Sequence, residues 1–138
     1  MIVNPGVTIY FEDKREEKEC QQTFKFDNGI LDYVSYLLDK KERLFDDAVY
    51  VKTTPEEAKV IGCEVEFSFI FDRGYDPLIR SFANNINTSD GGVHLNAMMD
   101  SLSKTIFEII KKNKYAEGVS DVKKADMEEG LNLVVMVS

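Results

Sequence analysis

The run Gly62-Cys63-Glu64-Val65-Glu66-Phe67-Ser68-Phe69-Ile70-Phe71 alternates apolar with mostly polar side chains along nearly its whole length. A period of two belongs to a β-strand with unlike faces. Cys63, Val65, Phe67, Phe69 and Phe71 share one side, expected to look into the core, which makes Cys63 a small core residue. Downstream, Asp72-Arg73-Gly74-Tyr75-Asp76-Pro77 punctuates the strand, and Leu78 to Ile86 fits a further strand or a short helix. Leu95, Met98, Met99, Leu102, Ile106, Ile109 and Ile110 then recur at intervals of three and four, predicting one helix of about four or five turns. Asp100, Lys104, Glu108 and Lys112 alternate in sign on its outer face, and Lys111, Lys112 and Lys114 complement the dipole at its end. Leu131, Leu133, Val135 and Val137 predict a closing strand, interior because Val134 and Met136 are apolar too.

Upstream, Val49 and Val51 suggest a short strand, and Thr54-Pro55-Glu56-Glu57 reads as a turn or hairpin tip. Ile30, Leu31, Val34, Leu37 and Leu38 fall on one helical face, with Asp27 and Asn28 as capping acceptors and an end within Asp39 to Arg43. Val7, Ile9 and Phe11, then Phe24 and Phe26, alternate as strands about a charged turn from Asp13 to Glu19. This order predicts an α/β (α+β) domain over residues 1–138, two layers deep, with a mixed sheet and both helices on one face.

Composition narrows the function. The chain has 138 residues, 43% of them hydrophobic, enough for one core that buries roughly 68% of the unfolded surface. Its 25 acidic and 17 basic residues leave a net charge of -8, which repels a polyanion and disfavours a self-sufficient nucleic-acid binder. No apolar run approaches the roughly 18 residues of a membrane span, and Met1 to Gly6 is not a signal peptide. A cytoplasmic protein with no membrane partner is expected. Cys20 and Cys63 make neither a disulfide framework nor a zinc ribbon.

The chemistry-bearing groups are few. Thr88-Ser89-Asp90-Gly91-Gly92-Val93-His94 leads into the long helix, where a glycine pair can present amides to a phosphate. With no following Lys-Ser or Lys-Thr, a loop that needs glycine is the plainer reading, and Asp90 would compete for the same amides. His94, the sole histidine, is expected in the first helical turn in a neutral hydrogen-bonding role. A cysteine nucleophile would have to pair Cys20 or Cys63 with His94. Asp126, Glu128 and Glu129 lack calcium-loop spacing and read as a solvated turn. No catalytic, cofactor or metal site assembles from these residues.

Ser81-Phe82-Ala83-Asn84-Asn85-Ile86-Asn87-Thr88-Ser89-Asp90-Gly91-Gly92-Val93-His94, followed by Asp126-Met127-Glu128-Glu129-Gly130-Leu131, resembles the transducer domain of bacterial type IIA topoisomerase B subunits, those of DNA gyrase and topoisomerase IV. Asn4-Pro5-Gly6-Val7, Asp13-Lys14-Arg15 and Gly29, Ile30, Tyr33, Val34, Tyr36 and Leu37 extend the resemblance over essentially the whole chain. It implies a ribosomal-protein-type fold with a left-handed β-α-β crossover, against the usual right-handed rule. It also implies an inert piece of a larger ATP-hydrolysing enzyme, with ATP and magnesium bound elsewhere in the parent. In the family an ATPase domain precedes this segment, and a glutamine-threonine-lysine loop follows the strand that ends at Val137.

The partners so implied are that ATPase domain, the DNA-cleaving core, the A subunit, duplex DNA, and a second copy in the ATP-bound dimer. The motif residues Ser81, Phe82, Asn84, Asn85, Thr88, Asp90, Gly91, Gly92, His94, Asp126, Glu129 and Gly130 carry structural or coupling roles under this resemblance. Lys104 is the retained DNA-facing candidate. Val93 replaces the family's usual threonine, and Ala97-Met98 its glycine-phenylalanine. Met99 and Glu128 stand where the family usually has basic residues, the former expected to face passing DNA. Loss of that charge leaves open an interaction or scaffolding module in a diverged paralogue.

Overall fold

The computed structural model describes residues 4–15, 20–39, 41–113 and 122–138. Part of the charged turn (residues 16–19) and Lys114 therefore lie outside the described residues. The chain runs β1 (Thr8–Asp13), β2 (Cys20–Lys25), α1 (Ile30–Leu37), β3 (Val49–Lys52), α2 (Pro55–Ile61), β4 (Val65–Phe71), β5 (Leu78–Ala83), β6 (Ile86–Asn87), α3 (Val93–Asn113), α4 (Lys124–Glu128) and β7 (Leu131–Val137). β1 and β2 form an antiparallel hairpin, a sheet of its own. The other five strands make a mixed sheet in the order β3-β4-β7-β5-β6. β7 is central, antiparallel to β4 and parallel to β5.

The mixed α/β class matches expectation, but the helices occupy opposite faces of the large sheet. Ile30, Val34 and Leu38 of the α1 region pack on Ile70, Phe82 and Val134. Met99 and Leu102 of α3 pack on Leu131, Leu133, Phe69 and Ile79 from the other side. The cause lies in β7, whose Leu133 and Val134 are both 0% exposed and project to opposite faces. A strand apolar on both faces needs a layer on each, and full burial of one such side chain contributes about 2 kcal/mol.

The same geometry revises the reading of β4. Its deeply buried face is Glu66, Ser68 and Ile70, toward α1, while Val65, Phe67, Phe69 and Phe71 are half-buried toward α3. Cys63 precedes the strand and is half-buried, so it is not a core residue. Thr54 to Glu57 is no hairpin tip. It starts α2 with a capping box, Thr54 Oγ1 accepting from the Glu57 amide at 3.3 Å and Glu57 Oε2 from the Thr54 amide at 2.8 Å. Leu78 to Ile86 resolves as β5, a turn at Asn84 and Asn85 and the start of β6, and of the acidic cluster Asp126 and Glu128 belong to the short helix α4 with Glu129 just past its end.

At α1 the capping runs opposite to expectation. Asp32 reaches back, its carboxylate accepting from the Asn28 amide at 2.9 Å and the Asn28 side chain at 3.0 Å. Those hydrogen bonds, the backbone one foremost, hold the Asp32 carboxyl below the usual range.

Candidate functional site

The motif residues gather at two places, one on each side of β5 and β7. At the first, Ser81 of β5 is 3% exposed and donates from Oγ to the Thr88 carbonyl at 3.0 Å. Its Oγ also lies 2.6 Å from Thr88 Oγ1, which in turn lies 3.4 Å from His94 Nε2. This chain of polar groups ties the middle of β5 to the first turn of α3. His94 thus has the first-turn position and hydrogen-bonding role expected of it. Asn84 and Asn85, at φ 46° and 68°, form the two-residue turn between β5 and β6. Asparagine tolerates the left-handed region, and positive φ at both central residues suits a tight hairpin. Phe82 points away from this cluster, into the α1-side core.

Gly91 donates its amide to the Thr88 carbonyl at 2.9 Å, and Gly92 accepts the Asn96 amide at 3.0 Å. The loop borders an open cavity of about 640 Å³ whose lining includes Arg80, Asp90 and Lys124. Lys124 donates to Asn96 Oδ1 at 3.0 Å and so links α4 to α3. Asp90 is exposed at that mouth.

The second place lies at the start of β7. Gly130 has φ 69°, and a Cβ there would stand 2.5 Å from the Asp72 carbonyl oxygen and 2.9 Å from that of Gly74. Only glycine lets the turn before β7 press against the turn after β4. Asp126 and Glu129 lead up to this turn without joining the network beneath it. Asp126 instead caps α4, accepting from the Lys123 amide at 2.9 Å, and Glu129 is exposed.

That network was not among the sequence candidates. Asp72, its side chain 2% exposed, receives Lys41 Nζ at 2.8 Å, Asn132 Nδ2 at 2.8 Å and the Gly74 amide at 2.6 Å. Lys41 also donates to Asn132 Oδ1 at 3.1 Å. Burial pushes the Asp72 carboxyl up, but hydrogen bonds from Lys41, Asn132 and Gly74, with the Lys41 charge, bring it below the ordinary value. The available signal was Asn132, a polar residue inside the apolar run Leu131 to Val137.

On the same α1 face, Tyr50 donates to Glu66 Oε1 at 3.0 Å and Lys52 stands 3.5 Å from Oε2. Burial first, then the bond to Glu66 and its charge, push the Tyr50 phenol up to about 12. It therefore remains a donor at neutral pH.

Other candidates separate. Cys20 is exposed on the hairpin, whereas Cys63 and His94 both line an apolar groove beside α3. Lys104 is exposed on α3. Met99, by contrast, is 0% exposed against Met127, Leu131 and Leu133. Its position therefore faces the core and not a passing duplex, because it falls on the same helical stripe as Leu102. Glu128 is half-buried at the end of α4. Among the described residues no helix is long and apolar enough to cross a membrane.

A family model described as DNA gyrase B matches residues 29–138. The B subunit of Thermotoga maritima DNA gyrase is 36% identical over 137 residues, an alignment spanning 96% of this chain and 21% of that protein. That of Mycoplasma pneumoniae is 30% identical over 142 residues, spanning 99% of this chain and 22% of that protein. The chain thus spans about a fifth of the length of these curated relatives. In structure it is similar to the 43K ATPase domain of Thermus thermophilus gyrase B, solved in complex with an aminocoumarin. The TM-score is 0.75 at 26% identity, covering 99% of this chain and 36% of that one.

Proposed function

This chain belongs to the DNA gyrase B family, and within that family we propose that it is the transducer domain of an ATP-dependent type IIA topoisomerase. It relays the state of a neighbouring ATPase domain to the DNA-cleaving core. The observation that carries this reading is the extent of the match: nearly the whole chain aligns with about a third of a gyrase B ATPase-region structure. The remaining two-thirds of that region is where the ATPase domain would lie. ATP and magnesium act there, and the A subunit, a second gyrase B chain and duplex DNA are the parent's partners in the cytoplasm.

The geometry suits a relay better than a catalyst. Ser81 is closed off from solvent, Cys20 is exposed on the hairpin, and His94 Nε2 stands against Thr88 Oγ1 rather than a cysteine thiol. A relay instead needs elements joined stiffly enough to move together. The Ser81–Thr88–His94 chain joins β5 to α3, and the Asp72 network joins the segment after α1, through Lys41, to the end of β4 and to β7. Lys104 on the exposed side of α3 is the residue we assign to face DNA.

The test replaces the matching segment of Thermotoga maritima gyrase B with residues 1–138 and measures ATP hydrolysis and supercoiling, with the A subunit present. A transducer retains both, and Thr88→Val lowers supercoiling per ATP hydrolysed. A chimaera that hydrolyses ATP and dimerises but never changes DNA topology, with or without further substitutions, would sink the reading.

A further inference from the structure

Of the eight asparagines in the chain, Asn28 alone is followed by glycine. An asparagine side chain carries an electrophilic carbon close to the backbone nitrogen of the next residue, and a glycine there has no Cβ to screen that nitrogen or restrict its approach. Asn28 is exposed in the turn before α1, at the edge of an open cavity of about 410 Å³, so water reaches it. Among the described residues nothing accepts a hydrogen bond from the Gly29 amide. The fold also fixes the pair, because Gly29 sits at φ 58° and ψ −122°, where a side chain would be strained.

What restrains Asn28 is Asp32, one turn ahead on α1. Its carboxylate takes the Asn28 backbone amide at 2.9 Å and the Nδ2 group at 3.0 Å. Hydrogen bonds to a carboxylate are roughly twice as strong as neutral ones. While both stand, the side-chain torsions of Asn28 are fixed, whereas ring closure requires its carbonyl carbon to turn onto the Gly29 nitrogen. The bonds from Asn28 hold the Asp32 carboxyl below the usual range, so the clamp persists at the neutral and alkaline pH where a backbone amide gives up its proton more readily.

We propose that Asn28 is a site of spontaneous deamidation whose rate is set by the Asp32 clamp. When the clamp opens, hydroxide removes the Gly29 amide proton and the nitrogen bonds to Asn28 Cγ. Nδ2 regains a proton from water, the Cγ–Nδ2 bond breaks and ammonia leaves, closing a succinimide. Water then adds at either ring carbonyl and opens the ring, leaving aspartate or isoaspartate at position 28. Either product sets a second carboxylate four residues from Asp32 where a donor had been, and like charges at that spacing repel. The clamp therefore cannot re-form. Isoaspartate also lengthens the main chain by one carbon just ahead of Ile30, which is 0% exposed in the α1-side core. The start of α1 thus records the age of the molecule in one direction.

The experiment ages the polypeptide as its gene encodes it, at neutral and at mildly alkaline pH, and follows position 28 by peptide mapping with mass spectrometry. Replacement of NH₂ by OH changes the mass, which isomerisation at Asp90–Gly91 does not. Aspartate and isoaspartate should accumulate at position 28 before any other asparagine within residues 1–138 converts, and faster at the higher pH. Asp32→Ala should raise the rate about ten-fold or more. Earlier conversion of another asparagine in that range, or equal rates with and without Asp32, overturns the proposal.

A second variant separates opening of the clamp from unfolding of the whole domain. Ile79→Val trims the α3-side core, away from Asn28. It should leave the rate at position 28 within about two-fold of the unaltered protein, since only the α1 turn has to open. A rise equal to that of Asp32→Ala would assign control to global unfolding and overturn the proposal as well.

Discussion

Gly130 and Gly92 both carry positive φ, yet what a side chain would meet differs. At Gly130 the obstacles are backbone carbonyls, which cannot yield, whereas at Gly92 the nearest atom is a carbon of the His94 ring at 2.9 Å. Gly130→Ala should therefore cost about 3 kcal/mol and Gly92→Ala about 1, read as urea midpoints. Equal midpoints for the two variants would refute the difference. Asp72 makes the second residue-scale prediction. Its folded pKa lies below the value of about 3.9 expected when unfolded, so the stabilisation is complete above roughly pH 4 and is lost as pH falls through the lower folded value. Asp72→Asn should flatten the acid limb of stability against pH. Lys41→Met, which leaves the carboxylate buried alone, should cost about 3 kcal/mol at pH 7. That is the low end for such a change, because the Lys41 side chain is 32% exposed. An acid limb unchanged in Asp72→Asn would show that the network titrates elsewhere.

At the scale of elements, which strands and helices exist is largely legible in the sequence, because β4 alternates, β7 is a short and nearly continuous apolar run, and α3 holds its apolar spacing for several turns. Their faces are not. An alternation identifies two sides of a strand without saying which is better covered, and β4 is covered on both, the nominally polar side more deeply. Short elements escaped for another reason: α2 and α4 have seven and five residues, too few for a period to declare itself, although the α2 capping box was readable at Thr54 and Glu57. The motif loop around Ser81 to His94 was legible as a unit. The Asp72 network was not, since its members lie 60 and 91 residues apart along the chain, and only folding brings them together. The register of α3 carries its own prediction. Met99→Lys, forcing a cation into the seam against Leu131 and Leu133, should lower stability by about 3 kcal/mol or more. Lys104→Glu on the exposed side should stay within about 0.5. Thermal melts of the two variants decide it, and a mild effect of Met99→Lys would mean that the seam opens to water.

Taken as a whole molecule, the chain carries a net charge of -8, and the outer α3 ladder alternates in sign, so its long-range field disfavours a polyanion. Fluorescence anisotropy with a short duplex should give a dissociation constant for residues 1–138 alone weaker than about 10⁻⁴ M at physiological salt. Micromolar binding with a steep salt slope would contradict this, and Lys104→Glu would then show whether α3 carries it. Calorimetric titration with ATP should show no saturable binding by the same 138 residues. The position of β7 reaches further, into synthesis. Of the seven strands among the described residues it is the last to be made, yet it stands between β4 and β5. Until residues 131–137 clear the ribosome, the β3–β4 and β5–β6 pairs each hold a bare edge that has no partner upstream. Nascent chains arrested before residue 131 should be cut readily by protease at both pairs, and protection should arrive for both at once when that strand emerges. Birth order thus makes one strand the gatekeeper of the fold, and the time spent waiting for it is when neighbouring chains on a polysome are most able to pair with one another by mistake.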